Sequence, residues 1–137
     1  MIPLKPLANL PTHEVTNMPP HLGDQDLWRS DTALREGVAR EGGGWAEDKL
    51  AAFGKIAGAV ETFEKADQAN RHNPELKAFD RNGMRINQVE FHPAYHDLMA
   101  VAIENGVPNF AWNHPEPGAQ VVHAALTYMF NQPEGGV

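Results

Sequence analysis

Cysteine is absent from the 137 residues, which excludes a disulfide framework, a thiolate metal site and a cysteine nucleophile. Serine occurs once, as Ser30. It stands where a helix needs its cap, not on the strand-to-helix elbow of a nucleophilic serine, so no Ser-His-Asp arrangement is supported. No stretch of about 18 uninterrupted apolar residues exists, so nothing in the sequence spans a membrane. The opening Met1-Ile2-Pro3-Leu4-Lys5-Pro6-Leu7 carries prolines where a secretory signal needs a helical apolar run. Together these absences lead to the expectation of a cytoplasmic protein.

Basic charge is also short. The formal net charge is −7, and the last basic residue is Arg85. From Ile86 to Val137 there is no Lys or Arg, while Glu90, Asp97, Glu104, Glu116 and Glu134 remain. Such a surface repels nucleic acid, acidic lipid and phosphate-bearing ligands, all of which require clustered cations. Neither DNA nor a membrane is therefore an expected partner of this domain.

What is present fits one domain with one core. Residues 1–23 read as an extended proline-rich arm, because prolines at 3, 6, 11, 19 and 20 forbid a helix and disfavour a central strand. Ile2, Leu4, Leu7 and Leu10 are scattered along it without a helical period. Two readings stay open: a disordered terminus, or an ordered strap across another domain or subunit. Residues 24–137 form the helical domain. A first helix begins near Ser30-Asp31 and carries Leu34 and Val38 on one face, with Glu36 and Arg40 spaced for an ion pair. Gly42-Gly43-Gly44 ends it and makes a tight joint.

The longest predicted helix runs from Ala46 to about Asn70. Leu50, Phe53, Ala57, Val60 and Phe63, with Ile56 alongside, recur at three- and four-residue steps. At 1.5 Å per residue it is roughly 37 Å long. Gly54 and Gly58 lie within it, each costing about 1 kcal/mol relative to Ala. They admit a neighbouring helix at close range, or are simply tolerated. Asn73-Pro74 closes the helix, and Asn82-Gly83 marks a small irregular β-hairpin with Met84 and Ile86 alternating. A further helix spans about Pro93 to Glu104, with Tyr95, Leu98, Met99 and Ala102 as its stripe and Pro93 in its first turn. A loop follows over 107–117, then a last helix from Gly118 to about Asn131. That helix is apolar on most sides, so its uncovered side is expected to carry Val121, Tyr128 or Phe130 and to need cover from outside the domain. The fold class is mostly α: four principal helices in a bundle, with one hairpin.

Few residues suggest chemistry. His92 and His96 stand four apart and could share a helix face as a metal pair. A third ligand and the intervening Glu of the His-Glu-x-x-His pattern are missing, and Pro93 puts His92 at the helix boundary. Capping or packing is the favoured reading. Gly42-Gly43-Gly44 lacks the spacing and the preceding strand of a phosphate-binding loop. The carboxylate pairs Glu47/Asp48 and Glu61/Glu64 belong to a helix start and a solvent face. No catalytic, cofactor-binding or metal-ligating residue is assigned.

Three stretches nevertheless carry a resemblance. They are Asp31-Thr32-Ala33-Leu34-Arg35-Glu36-Gly37-Val38 leading through Arg40-Glu41-Gly42-Gly43-Gly44-Trp45, the long run from Phe79 to His96, and Asn109-Phe110-Ala111-Trp112 before the last helix. In motif, order and spacing the chain resembles, from about Thr12 onward, the amino-terminal part of the AidB-type (adaptive alkylation response) branch of the acyl-CoA dehydrogenase superfamily. The resemblance implies a subunit of a helical first domain, a middle β domain and a helical third domain, binding FAD and usually assembling as a homo-oligomer. It implies α,β-dehydrogenation of an acyl-CoA thioester, with a glutamate taking the α-proton and flavin the hydride. In this branch that activity can be weak, and DNA binding is associated with the third domain. The chain ends where the family enters its β domain, and the catalytic glutamate and FAD-gripping residues match no position here. The expectation is a domain inactive alone, with no cofactor of its own, whose partners are the remaining domains of its subunit. The alternative is a non-catalytic helical interaction module linked to the alkylation stress response.

Overall fold

In a computed structural model, described over residues 16–17 and 23–133, the chain is mostly helical with one two-stranded antiparallel hairpin. The proline-rich arm lies outside the described residues except for Thr16, Asn17 and Gly23. Seven α-helices are present among them, not four. They are α1 (Leu27–Ser30), α2 (Thr32–Arg40), α3 (Glu47–Ala57), α4 (Val60–Arg71), α5 (Pro93–Glu104), α6 (Phe110–Asn113) and α7 (Ala119–Phe130). A single 3-10 turn, Gly44–Ala46, leads into α3.

The main correction concerns the long helix expected over 46–70, which is two helices. The chain breaks at Gly58-Ala59, where Ala59 is extended and α4 restarts. The cause lies 33 residues upstream. Gln25 donates its amide to the Gly58 carbonyl at 3.0 Å, and a Cβ at Gly58 would overlap the Gln25 carbonyl. Asp24 Oδ1 then accepts the Val60 amide at 3.3 Å, and the Thr62 hydroxyl donates to the Ile56 carbonyl at 2.7 Å. An incoming segment has taken up the hydrogen bonds that a continuous helix would have made within itself. Gly54 serves the same approach, since a Cβ there would sit 2.6 Å from the Trp28 amide nitrogen. The two glycines are therefore a docking track for the chain entering α1.

Asp31 caps α2 through the Leu34 amide at 2.8 Å, while Ser30 ends α1 with its hydroxyl on the Asp26 carbonyl. The expected loop over 107–117 contains the one-turn helix α6, which is too short to show a period. At the start of α7, Gly118 adopts φ +86, and a Cβ on it would overlap the Gly42 carbonyl. Trp45 Nε1 donates to the Pro117 carbonyl at 2.9 Å beside it. The triple-glycine joint is thereby clamped to the last helix.

The core is built by three helices. Leu50 and Phe53 of α3, Leu98 of α5, and Val122, Leu126 and Met129 of α7 are fully buried. Trp28 and Phe110, from the two one-turn helices, seal its ends. Of the three residues expected on the uncovered side of α7, Tyr128 is there. Phe130 is buried at 7 % exposure and belongs to this core, Val121 is half-buried, and Tyr128 is the large side chain left outside.

The hairpin stands apart from that core. Strands β1 (Glu75–Phe79) and β2 (Arg85–Glu90) pair Leu76 with Val89 and Lys77 with Gln88, with an irregularity before Phe79 meets Arg85. Asp80 Oδ1 accepts the amides of Asn82 and Met84, both at 2.8 Å, and Gly83 takes φ +81. Every residue of β2 is exposed, and in β1 only Ala78 is half-buried.

Candidate interaction surfaces

The residues singled out for possible chemistry fall in separate places. His92 caps α5: its Nδ1 accepts the Ala94 amide at 3.2 Å. His96 is exposed and stands edge-on to Phe91 and Tyr95. Glu47 and Asp48 occupy the first turn of α3, where acids offset the helix dipole, and Glu61 and Glu64 are exposed on α4. Among the described residues, no group of three or more His, Asp or Glu stands close enough to hold a metal ion. No helix there is long and apolar enough to cross a membrane.

The ring that does face His92 was not anticipated from spacing. His72, the C-cap of α4, stacks on it with centroids 4.4 Å apart. His72 Nδ1 donates to the Gln68 carbonyl at 2.8 Å, so each ring is anchored by its own helix end. The pair closes the neck from which the hairpin leaves and to which it returns. Its signal in the sequence was symmetry: the two histidines bracket the hairpin just outside Pro74 and Phe91. In a second aromatic group Phe110 stacks between Trp45 and His114, with Lys49 over the Phe110 ring.

Among the described residues, two of the open apolar surfaces stand out by their geometry. On the hairpin, cross-strand partners share a face, so Leu76 and Val89 lie together on one side. Glu75, Lys77, Gln88 and Glu90 lie on the other, with Lys77 bridged to Glu90. Leu76 is 66 % exposed, and Ile86, Val89 and Phe91 are exposed as well. The second surface is an open groove of about 420 Å³ between α2 and α7, bordered by Leu34, Gly37, Glu41, Val121, Ala124 and Tyr128. At one end the Tyr128 hydroxyl donates to Asp31 Oδ2 at 3.2 Å. That hydrogen bond, then the Asp31 charge and the surrounding protein, hold the phenol above its ordinary pKa.

Residues 17–137 match the family described as the adaptive response protein AidB N-terminal domain. The chain belongs to that family. Over 126 residues it is 43 % identical to the Escherichia coli K12 protein described as "Putative acyl-CoA dehydrogenase AidB", covering 91 % of this chain and 23 % of that protein. The AidB N-terminal domain seen here thus spans less than a quarter of that relative's length. Two solved structures share its fold. "Bd2924 apo-form" aligns with a TM-score of 0.72 at 22 % identity, over 83 % of this chain and 24 % of that one. Caenorhabditis elegans ACDH-11 in complex with C11-CoA aligns with a TM-score of 0.66 at 20 % identity, over 91 % and 22 %.

Proposed function

We propose that this AidB N-terminal domain is the helical first part of an FAD-dependent, acyl-CoA dehydrogenase-like oxidoreductase. It works beside a middle β domain and a C-terminal helical domain in one subunit. The 43 % identity to an acyl-CoA dehydrogenase-type relative four times longer carries this reading. In the whole subunit the reaction is α,β-dehydrogenation of an acyl-CoA thioester, and the flavin supplies the hydride acceptor. Homo-oligomeric assembly in the cytoplasm belongs to the same proposal.

Three of the grooves on this domain suit FAD poorly. Its diphosphate needs cations or a glycine-rich cradle at a helix start. The α2–α7 groove is lined by apolar residues and Glu41, with no Lys or Arg, the hollow beside Trp28 has Arg35 together with Glu36 and Glu47, and the one between α4 and α5 holds Lys55 and Lys65 beside Glu61 but no glycine-rich cradle. The flavin grip and the catalytic base are therefore assigned to the other domains, and no residue of this chain receives a catalytic role. Its contribution is a packed helical wall, with the exposed hairpin face as the surface that meets the rest of the subunit.

The test is the visible spectrum of the complete gene product. A flavin spectrum bleached by an acyl-CoA substrate under anaerobic conditions is the expected result. A colourless complete protein, folded by circular dichroism and unresponsive to acyl-CoA, would overturn the oxidoreductase reading in favour of a non-catalytic helical module.

A further inference from the structure

A two-stranded hairpin is marginal in water, and a further strand or a packed helix normally completes it. Here β1 and β2 stand apart from the core, and among the described residues no backbone hydrogen bond reaches the outer edge of either strand. The two edges differ. Between the Lys77–Gln88 and Phe79–Arg85 pairs, β1 advances two residues and β2 three. The extra residue is a bulge on β2, where Asn87 takes φ +48. A bulge blunts an edge against further pairing. The β1 edge from Glu75 to Lys77 is regular and open.

The bulge also gathers the apolar side chains. Arg85 lies over the Phe79 ring at 6.0 Å, so Ile86, next along the strand, turns to the opposite side with Leu76 and Val89. Charge is sorted onto the other face. Glu75 stands directly opposite Glu90, a like-charge pair that costs stability, and Lys77 bridges Glu90. Among the described residues no cation bridges Glu75.

We propose that β1 pairs edge to edge, antiparallel, with β1 of a second copy of this chain, about a two-fold axis at Leu76. The axis stands perpendicular to the sheet, so both apolar faces lie on one side of a four-stranded sheet ordered β2-β1-β1-β2. On that side Leu76 meets the partner's Leu76. On the other, Glu75 meets the partner's Lys77 and Lys77 meets the partner's Glu75, which gives the unbridged acid its cation. An axis centred on Glu75 or on Lys77 would oppose like charges, so charge selects this register. A lysine on an edge strand ordinarily repels a second strand; here the symmetry matches it. The interface is isologous and closes at two copies. This deepens the homo-oligomeric part of the reading above, and its readouts are mass and cross-linking instead of flavin, so either can fail alone.

The chain has no cysteine, so a single introduced one reports contact between copies. Leu76→Cys should oxidise to a covalent dimer, because side chains directly opposite across an antiparallel pair are close enough for a disulfide. Gln88→Cys, on β2 and away from the axis, should stay largely monomeric under the same conditions. Glu75→Lys alone and Lys77→Glu alone should each weaken the dimer about tenfold in sedimentation equilibrium, since both pairs across the axis turn from unlike to like charge. Mixing the two variants should restore association, because unlike charges then face each other at both positions. A hairpin unfolded by either change could not give that recovery. Leu76→Cys oxidising no faster than Gln88→Cys would overturn the proposal, as would single variants and a mixture that associate alike.

Discussion

Asp31 and Tyr128 tie the second helix to the last: one carboxylate oxygen caps α2 through the Leu34 amide, and the other accepts the Tyr128 hydroxyl 97 residues later. Removing the whole carboxylate therefore costs more than removing the phenol alone. Asp31→Ala should destabilise the domain by about 1 kcal/mol for the lost cap, and Tyr128→Phe by less. Urea unfolding checks the order, and equal losses would mean that Asp31 is not the shared anchor.

The same contact gives an alkaline signature. The Tyr128 phenol is raised above 10.0 by the Asp31 hydrogen bond and charge. A group raised on folding contributes stability that is complete below its unfolded pKa and is lost as pH rises through the folded one. Stability should accordingly fall above about pH 10. Asp31→Asn should lower the Tyr128 midpoint followed by ultraviolet or NMR titration, and an unmoved midpoint would contradict the assignment.

Gly54 offers a test of sign. On helix propensity alone, Gly54→Ala should stabilise α3 by about 1 kcal/mol. The Trp28 amide at 2.6 Å from the new Cβ predicts the reverse, a loss of about 1–3 kcal/mol from overpacking. Stabilisation of the variant in thermal unfolding would mean that α1 does not dock on this track.

These particulars show what could be read without coordinates. The helices α2, α5 and α7 and the turn of the hairpin were legible because their determinants are local: Asp31, Pro93, Gly118 and Gly83 act within a few residues of their own position. The break between α3 and α4 was not, because its determinant is the backbone of Gln25, distant in sequence. Nothing in the apolar period of Leu50, Phe53 and Ala57 interrupts at Gly58. The helices α1 and α6 are single turns, below the length at which a period exists. The choice among Val121, Tyr128 and Phe130 stayed open because an all-round apolar helix does not say which side its own domain will cover. The stack of His72 on His92 arises from the packing of α4 on α5, joined also by Lys65 and Asp97 at 3.1 Å.

His92→Ala should cost about 1 kcal/mol by removing the acceptor for the Ala94 amide, while His92→Asn should retain most of it. Added zinc or nickel should leave the melting temperature of the unmodified chain unchanged. A saturable rise, lost in a His92→Gln, His96→Gln double variant, would establish metal binding.

The purified domain should neither retain FAD nor shift a DNA duplex, given the cation-free groove and the absence of Lys or Arg after Arg85. Flavin absorption after desalting, or a salt-sensitive mobility shift, would count against the division of labour proposed for the subunit.

The stacked histidines at the hairpin's neck have one more consequence. Because α4 and α5 already pack on each other below that neck, the segment from Asn73 to Phe91 behaves as a cassette plugged into a closed helical corner. The hairpin and the three-helix interior are thus separate cooperative units, and the strands can open without unseating Leu50, Leu98 or Leu126.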